Sequence, residues 1–184
     1  MRDSLAAVGR REKRGYFKRP EGAPGPLAVE ARKRVALQEA DVLGIAWHGR
    51  YAEYFELAAA ELRRRCGFSF EELREAGLTA PIVQFHVDHY LPLALDEAFS
   101  VTATLTWSEG ARLNIEYEVR KSDGRLAATG YTIQMFVDPA AGEPLLISPE
   151  ILERCRRRWL AGEFGETRGG QAGKDDGDRR GEAF

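Results

Sequence analysis

The residues with the clearest capacity for chemistry lie in one stretch, Asp41 to Tyr51, which reads DVLGIAWHGRY. Asp41, Gly44, His48 and Tyr51 follow one another directly ahead of a helical pattern. At a helix start the first backbone N–H groups have no intrahelical acceptor and carry partial positive charge. An ester or thioester oxygen held there gains negative charge as its carbonyl is attacked, so the position suits an oxyanion site. Asp41 stands a few residues upstream, where its loop can fold back over the same spot. A carboxylate of ordinary pKa, about 3.9, is ionised at neutral pH and suits a nucleophile or general base rather than an acid. Gly44 permits a close turn beneath a substrate. His48 offers its backbone N–H, its imidazole, or both. The spacing alone also fits plain turn chemistry, because Asp shortly before Gly is a common turn pattern. A single His is equally compatible with a hydrogen-bonded structural role.

The elements that must position these residues are legible from periodicity. In RYAEYFELAAAELRRRC, residues Tyr51, Tyr54, Phe55, Ala58, Leu62 and Cys66 share one helical face, with Glu53, Arg63 and Arg64 off it. Glu61 and Arg65 are spaced for an ion pair one turn apart, and Gly67 is the expected stop. Ser69 and Glu72 form an expected capping box for a second short helix, SFEELREAG. After Pro81 the period changes to two. FSVTATLTW places Phe99, Val101, Ala103, Leu105 and Trp107 on one face, and LNIEYEV sets Leu113, Ile115, Tyr117 and Val119 against exposed Asn114, Glu116 and Glu118. SDG, ending at Gly124, is a hairpin turn, and ATGYTIQMFV is the returning strand. IVQFHVDHYL adds one more strand, RKRVALQ another ahead of the motif, and SPEILERCRRRWL opens on a Ser-Pro cap and closes the domain as a helix. The order is strand, long helix, then four antiparallel strands. Such an α+β chain is expected to curl its sheet around the helix, and the strand edges left over favour a homodimer or homotetramer.

The totals bound what this arrangement can serve. The 184 residues suit one domain, and a formal net charge of -2 gives no electrostatic reason to expect nucleic acid as partner. Cys66 and Cys155 are too few for a disulfide framework and read as free thiols in a reducing compartment. No apolar run reaches the length of a membrane span, and the basic N-terminus lacks the apolar core of a secretory signal, so the expected location is the cytoplasm. Residues 1–28, basic and closing in PEGAPGP, read as a disordered arm; residues 29–160 read as the folded domain. Residues 161–184, Gly-rich and charged, read as a disordered tail.

Other candidates have simpler readings. His86, Asp88 and His89 invite a metal, but in a strand His86 and Asp88 face one side and His89 the other, so no metal site is expected. Trp47, Trp107 and Tyr131 read as core or as lining of an acyl site. The basic run around Arg156 reads as a solvated helix face.

DVLGIAWHGRYAEYFE resembles the signature of the 4-hydroxybenzoyl-CoA thioesterase family of hotdog-fold enzymes, in which Asp, Gly, His or Tyr, and Tyr recur at these intervals before an aromatic-rich helix. Asp41, Gly44, His48, Tyr51, Phe55 and Glu56 match it position by position, and the likeness continues to GEPLLISPEIL. The resemblance implies a hotdog fold, a long central helix wrapped by a five-stranded antiparallel sheet, with two subunits sharing one continuous sheet and active sites at their interface. It implies hydrolysis of an acyl-CoA thioester with no cofactor and no metal, Asp41 acting as nucleophile or general base. The N–H of His48 would polarise the thioester carbonyl, Gly44 would shape the loop, and Trp47 and Tyr51 would line the substrate site. The chain departs from some relatives after Trp107, where Ser108, Glu109 and Gly110 replace a basic cluster for the phosphates of CoA, and Arg112 is the nearest cation. It also has Ala59 where many relatives carry an Arg. A pantetheine on an acyl carrier protein is therefore a second form of the substrate. A non-catalytic acyl-CoA or acyl-carrier binding module is the alternative function; a hotdog hydratase would need a His and an acidic residue on the central helix region, and no such pair is found.

Overall fold

A computed structural model describes residues 15–165. Strand β1 (Leu27–Arg34) is followed by a short turn of 3-10 helix, Leu37–Glu39. A second 3-10 turn, His48–Arg50, runs into the long helix α1 (Tyr51–Cys66), and the short helix α2 (Phe70–Glu75) comes next. Strands β2 (Ile82–His89), β3 (Ala98–Thr106), β4 (Arg112–Lys121) and β5 (Leu126–Met135) complete a five-stranded antiparallel sheet in the order β1-β3-β4-β5-β2. A two-residue ribbon, β6 (Val137–Asp138) with β7 (Glu143–Pro144), precedes α3 (Glu150–Leu160). The α+β arrangement expected from the sequence, one long helix against a five-stranded antiparallel sheet, is the one the chain forms.

The sheet takes its inner face from strict alternation. Phe99, Val101, Ala103 and Leu105 on β3 are buried, as are Leu113, Ile115, Tyr117 and Val119 on β4. They pack on the α1 face made by Tyr54, Phe55, Ala58, Ala59 and Leu62. The closest approach is at Phe55, whose ring stacks flat on Tyr117 with centroids 4.2 Å apart and planes within 4°. Gly130, opposite Tyr117 on β5, makes room: a Cβ there would lie 2.2 Å from the His86 carbonyl oxygen and 2.5 Å from the Phe55 ring.

The helix ends follow their local chemistry. Gly67 takes a left-handed conformation at φ 85° and ends α1. Ser69 and Glu72 form the expected capping box, in which the Ser69 side chain accepts from the Glu72 N–H.

Five local expectations are corrected. The first strand is Leu27–Arg34, and Leu37 and Gln38 of the expected segment belong to a 3-10 turn, Leu37–Glu39. Glu61 pairs with Arg64, while Arg65 donates to the carbonyls of Ala28 and Phe164. Asn114 is buried although it alternates to the outer face. The N-cap of α3 is Pro149, and the Ser148 hydroxyl accepts a 2.8 Å hydrogen bond from Arg156. Arg156 itself is buried, donating to the carbonyls of Ser108 and Gly110 beside the Trp107 ring, because a guanidinium can satisfy a cluster of orphaned carbonyls that no neutral side chain reaches.

Of the two expected tails, residues 1–14 and 166–184 lie outside the described residues. The boundary expected at residue 29 falls inside β1. Upstream of β1, the N–H groups of Tyr16 and Phe17 donate to Glu116 at 2.6 and 2.8 Å, and the Tyr16 hydroxyl donates to Asp88 at 2.8 Å. These residues lie against the outer face of β4, β5 and β2, where Tyr16 also meets the rings of His86 and Tyr131. Tyr131 thus packs on the outer face rather than in the core.

Replacing Gly130 by Ala forces a methyl into backbone of β2 and into the Phe55 ring. Gly130→Ala is expected to lower the free energy of unfolding by about 1–3 kcal/mol, with the denaturant midpoint falling at an unchanged slope.

Candidate active site

The Asp41 loop is a tight reversal pinned at both ends. The Asp41 N–H donates to the Ile45 carbonyl at 2.9 Å, and the Gly44 N–H to the Asp41 carbonyl at 3.0 Å. Asp41 Oδ1 accepts the Leu43 N–H at 2.8 Å, the turn that an Asp at this position is built to make. Gly44 is left-handed at φ 72°, a conformation that would strain any side chain. The loop hangs on the segment after β2 through Ala46 N–H to Leu93 at 2.8 Å and Leu95 N–H to Gly44 at 2.9 Å.

Beneath the loop sits a buried carboxylate that sequence reading missed. Glu39 accepts the Ala36 N–H at 2.9 Å and the Tyr54 hydroxyl at 3.3 Å, and pairs with Lys33 at 2.8 Å. Its backbone carbonyl takes the Trp47 N–H at 2.8 Å, so one residue ties β1, the helix and both ends of the loop together. Burial alone would raise the Glu39 carboxyl, but the Lys33 ammonium and the Ala36 N–H outweigh it and hold the group below its usual range.

From Trp47 the chain enters the helix through His48–Arg50, whose first N–H groups, those of His48 and Gly49, have no intrahelical acceptor. The Trp47 ring lies across Gly49 so closely that a Cβ there would be 2.2 Å from it. Gly49 is therefore a requirement of the Trp47 position.

Asp41, His48 and Tyr51 open onto one cleft of about 340 Å³, within the range of small-molecule sites. Leu43, Ile45, Leu91 and Pro92 supply apolar wall. Tyr51 is buried at its floor, and burial together with the charge of Glu97 pushes its hydroxyl up to about 12, so it stays a neutral donor. His89, absent from the expected site residues, also lines the cleft, and burial and the neighbouring His48 hold its imidazole below the ordinary range. The signal for it was present in the strand alternation, which turns His89 to the face opposite His86.

Two expected site residues lie elsewhere. Trp47, half-exposed, lines an adjoining groove with Val42 and Arg50 on the other side of Asp41. Arg112 starts β4, whereas the cleft is at the far end of that strand, where the Lys121 ammonium donates to the Pro92 carbonyl at 2.7 Å. Nine residues of strand separate the two ends by about 30 Å. Arg112 bonds locally to the Ser108 hydroxyl.

Residues 35–155 match the family model of the thioesterase-like superfamily. The chain belongs to that superfamily. The acyl-CoA thioester hydrolase YbgC of Escherichia coli is 23% identical to it over 124 residues, 67% of this chain and 92% of the relative. A hypothetical protein of Aquifex aeolicus with a crystal structure is 30% identical, at a TM-score of 0.61 over 68% of this chain and 97% of that one. The DHNA-CoA thioesterase of Staphylococcus aureus superposes with a TM-score of 0.66 at 21% identity, over 74% of this chain and 93% of that one. The fold is the hotdog fold.

The Glu39 carboxylate has a sign that can be checked. Because its folded pKa is depressed, its stabilisation is fully present above the unfolded value of about 4.3 and is lost as pH falls through the folded one. Glu39→Gln is expected to cost about 1–3 kcal/mol at pH 7, reduced by the partial exposure of Lys33, and to flatten the rise of stability with pH that the wild type shows up to about the unfolded value, in chemical denaturation.

Proposed function

We propose that the protein is an acyl-CoA thioesterase, hydrolysing a thioester to free acid and CoA. The observation that carries the reading is the meeting of the Asp41 carboxylate, the entrance of α1 and an apolar-walled cleft in one place. Only Oδ1 of Asp41 has a partner among the described residues, which leaves Oδ2 to act as nucleophile or base. The His48 and Gly49 N–H groups, without an acceptor among the described residues, lie at the positive end of the helix, suited to the oxygen that becomes negative when the carbonyl is attacked. Gly44 supplies the left-handed turn that keeps the loop folded over this end. The superfamily and its thioesterase members support the same chemistry. The match of residues 41–56 to the 4-hydroxybenzoyl-CoA thioesterase signature extends the proposal to that family, and Tyr51, which lines the cleft, is its substrate contact, whereas Trp47 lines the adjoining groove.

In this reading the site is completed by a second copy of the chain. β2 is an edge strand, and Ile82, Val83 and Phe85 on it are exposed apolar residues. Pairing two such edges about a two-fold would continue the sheet and cover them. The two-fold reverses the partner's strands, so the end of the sheet that holds Arg112 would turn toward this chain's cleft. Only by that route would Arg112 meet the phosphates of CoA. Between a dimer and a tetramer, sedimentation at micromolar concentration decides; a monodisperse, active monomer would sink the shared site.

The second reading, an acyl-CoA binding module, draws on the Asx turn at Asp41, which accounts for that residue without chemistry. One variant separates the two. Asn keeps an oxygen for the Leu43 N–H but removes the charge, so Asp41→Asn should fold with an unchanged melting temperature. A panel of acetyl-, hexanoyl- and benzoyl-CoA read with a thiol reagent should show turnover reduced by about 10²–10⁴-fold with KM nearly constant. Binding without release by the wild type decides for the module, and release of CoA by Asp41→Asn at the wild-type rate leaves Asp41 as a turn residue only.

A further inference from the structure

The cleft holds one more ionisable group than the proposed chemistry uses. His89 closes β2, opposite Ala128 on β5, and alternation puts it with Phe85 and Val87 on the face turned to α1. His86 and Asp88 occupy the other face, where they bond to each other at 3.0 Å. The His89 ring meets Tyr51 edge-on, with centroids 4.5 Å apart at 88°, a contact that orients the imidazole on the first residue of α1. Neither ring nitrogen has a hydrogen-bond partner among the described residues, and the ring lines the same cleft as Asp41 and His48. Asp41 and His48 line the same cleft, Tyr51 touches the ring, and Asp88 is its neighbour on the opposite face of the strand; Lys121, which donates to the Pro92 carbonyl, is paired with Glu97. Burial and the proximity of His48 outweigh the pull of Asp88, so the imidazole is neutral at pH 7 and free to accept a proton.

A carboxylate is by its chemistry a weaker base toward water than a neutral imidazole, whose ring nitrogen holds a lone pair ready for the proton. We propose that His89 is the general base that activates water in the second half of the reaction, with Asp41 as the nucleophile of the first half; this rests on the thioesterase reading above. Asp41 Oδ2 bonds to the thioester carbonyl carbon, and the C–S bond breaks with its electron pair leaving on sulfur. The thiolate takes a proton from solvent. Water then adds to the acyl carbon of the resulting anhydride, giving one proton to His89, and the bond from that carbon to Asp41 breaks to restore the carboxylate. The imidazolium returns its proton to solvent. One water is consumed, and one carboxylic acid and one thiol are released.

Blocking only the second half leaves a trapped intermediate, which a structural role for His89 would not. In the full-length chain, with whichever of the three acyl-CoA substrates the wild type hydrolyses fastest, His89→Gln should release a burst of about one thiol per subunit. Steady turnover should then run about 10²-fold below wild type. Intact mass should show the protein heavier by one acyl group, and not in the Asp41→Asn, His89→Gln double variant. The acid limb of the wild-type kcat profile, set by a group titrating below about 6.5, should vanish in His89→Gln. Free imidazole should restore part of the turnover of His89→Ala. Steady turnover of His89→Gln within about threefold of wild type overturns the proposal. Lost turnover with neither burst nor acyl adduct overturns it as well, assigning His89 to packing on Tyr51. A wild-type chain that releases no thiol from any of the three overturns the thioesterase reading together with this one.

Discussion

The arrangement depends on how closely the long helix can lie on the sheet, and that distance is set where Phe55 rests on Tyr117 above Gly130. A flat stack with centroids 4.2 Å apart leaves no space for a side chain on the neighbouring strand, and the residue there has none. Ala58 and Ala59, one turn further along and fully buried, keep the rest of the helix equally low. Phe85 on β2 meets the other side of the Phe55 ring, at 5.6 Å. The helix is therefore clamped between a central strand and an edge strand, and its first turn has one place to emerge. That place is the cleft.

A second constraint converts the position of the helix into the position of the loop. The Glu39 carboxylate accepts from Tyr54 one turn into α1, while its carbonyl holds Trp47 just ahead of the helix. A buried charge of this kind is costly unless it is fully partnered, and Lys33, Ala36 and Tyr54 provide the partners. Because those partners come from three separate elements, the cost of burial is recovered only when strand, turn and helix are all in register. The loop bearing Asp41 inherits that precision although it is itself a surface reversal. Cys66 and Cys155 belong to the opposite end of the helix; contact with Cys155 and burial push the Cys66 thiol up, which removes it from nucleophilic chemistry.

What the sequence made legible was whatever repeats. α1 and the alternating strands β3 to β5 carry their period over nine or more residues, and Gly67 and Ser69 have strong local conformational preferences. The motif gave Asp41, Gly44, His48 and Tyr51 as neighbours, and they are neighbours in the cleft or its loop. What could not be read was set by single long-range contacts with no periodic trace. Arg156 is charged and sits in a basic run, yet three oxygens from Ser108, Gly110 and Ser148 draw it inward. Asn114 alternates outward and is still covered. Arg112 was selected for its nearness in sequence to Trp107, a criterion blind to which end of a 10-residue strand faces the site. Strand alternation turns His89 away from His86 and Asp88, which excludes a shared metal, and the same alternation brings it into the cleft.

The edge strand links the chemistry to the assembly. β2 carries His89 at one end and the exposed apolar residues Ile82, Val83 and Phe85 at the other. An open edge with an apolar surface is an invitation to pair with another strand, and folded proteins leave one uncovered only at the risk of aggregation. A strand that paired with this edge along its length would reach the His89 end as well. The cleft is lined by the Asp41 loop and by residues 89–92, which directly continue β2. Covering the edge would withdraw water from the cleft, strengthening the pull of the helix entrance on a developing negative charge and the discrimination between a neutral and a charged imidazole. The open edge and the imidazole of the cleft thus belong to the same eight residues.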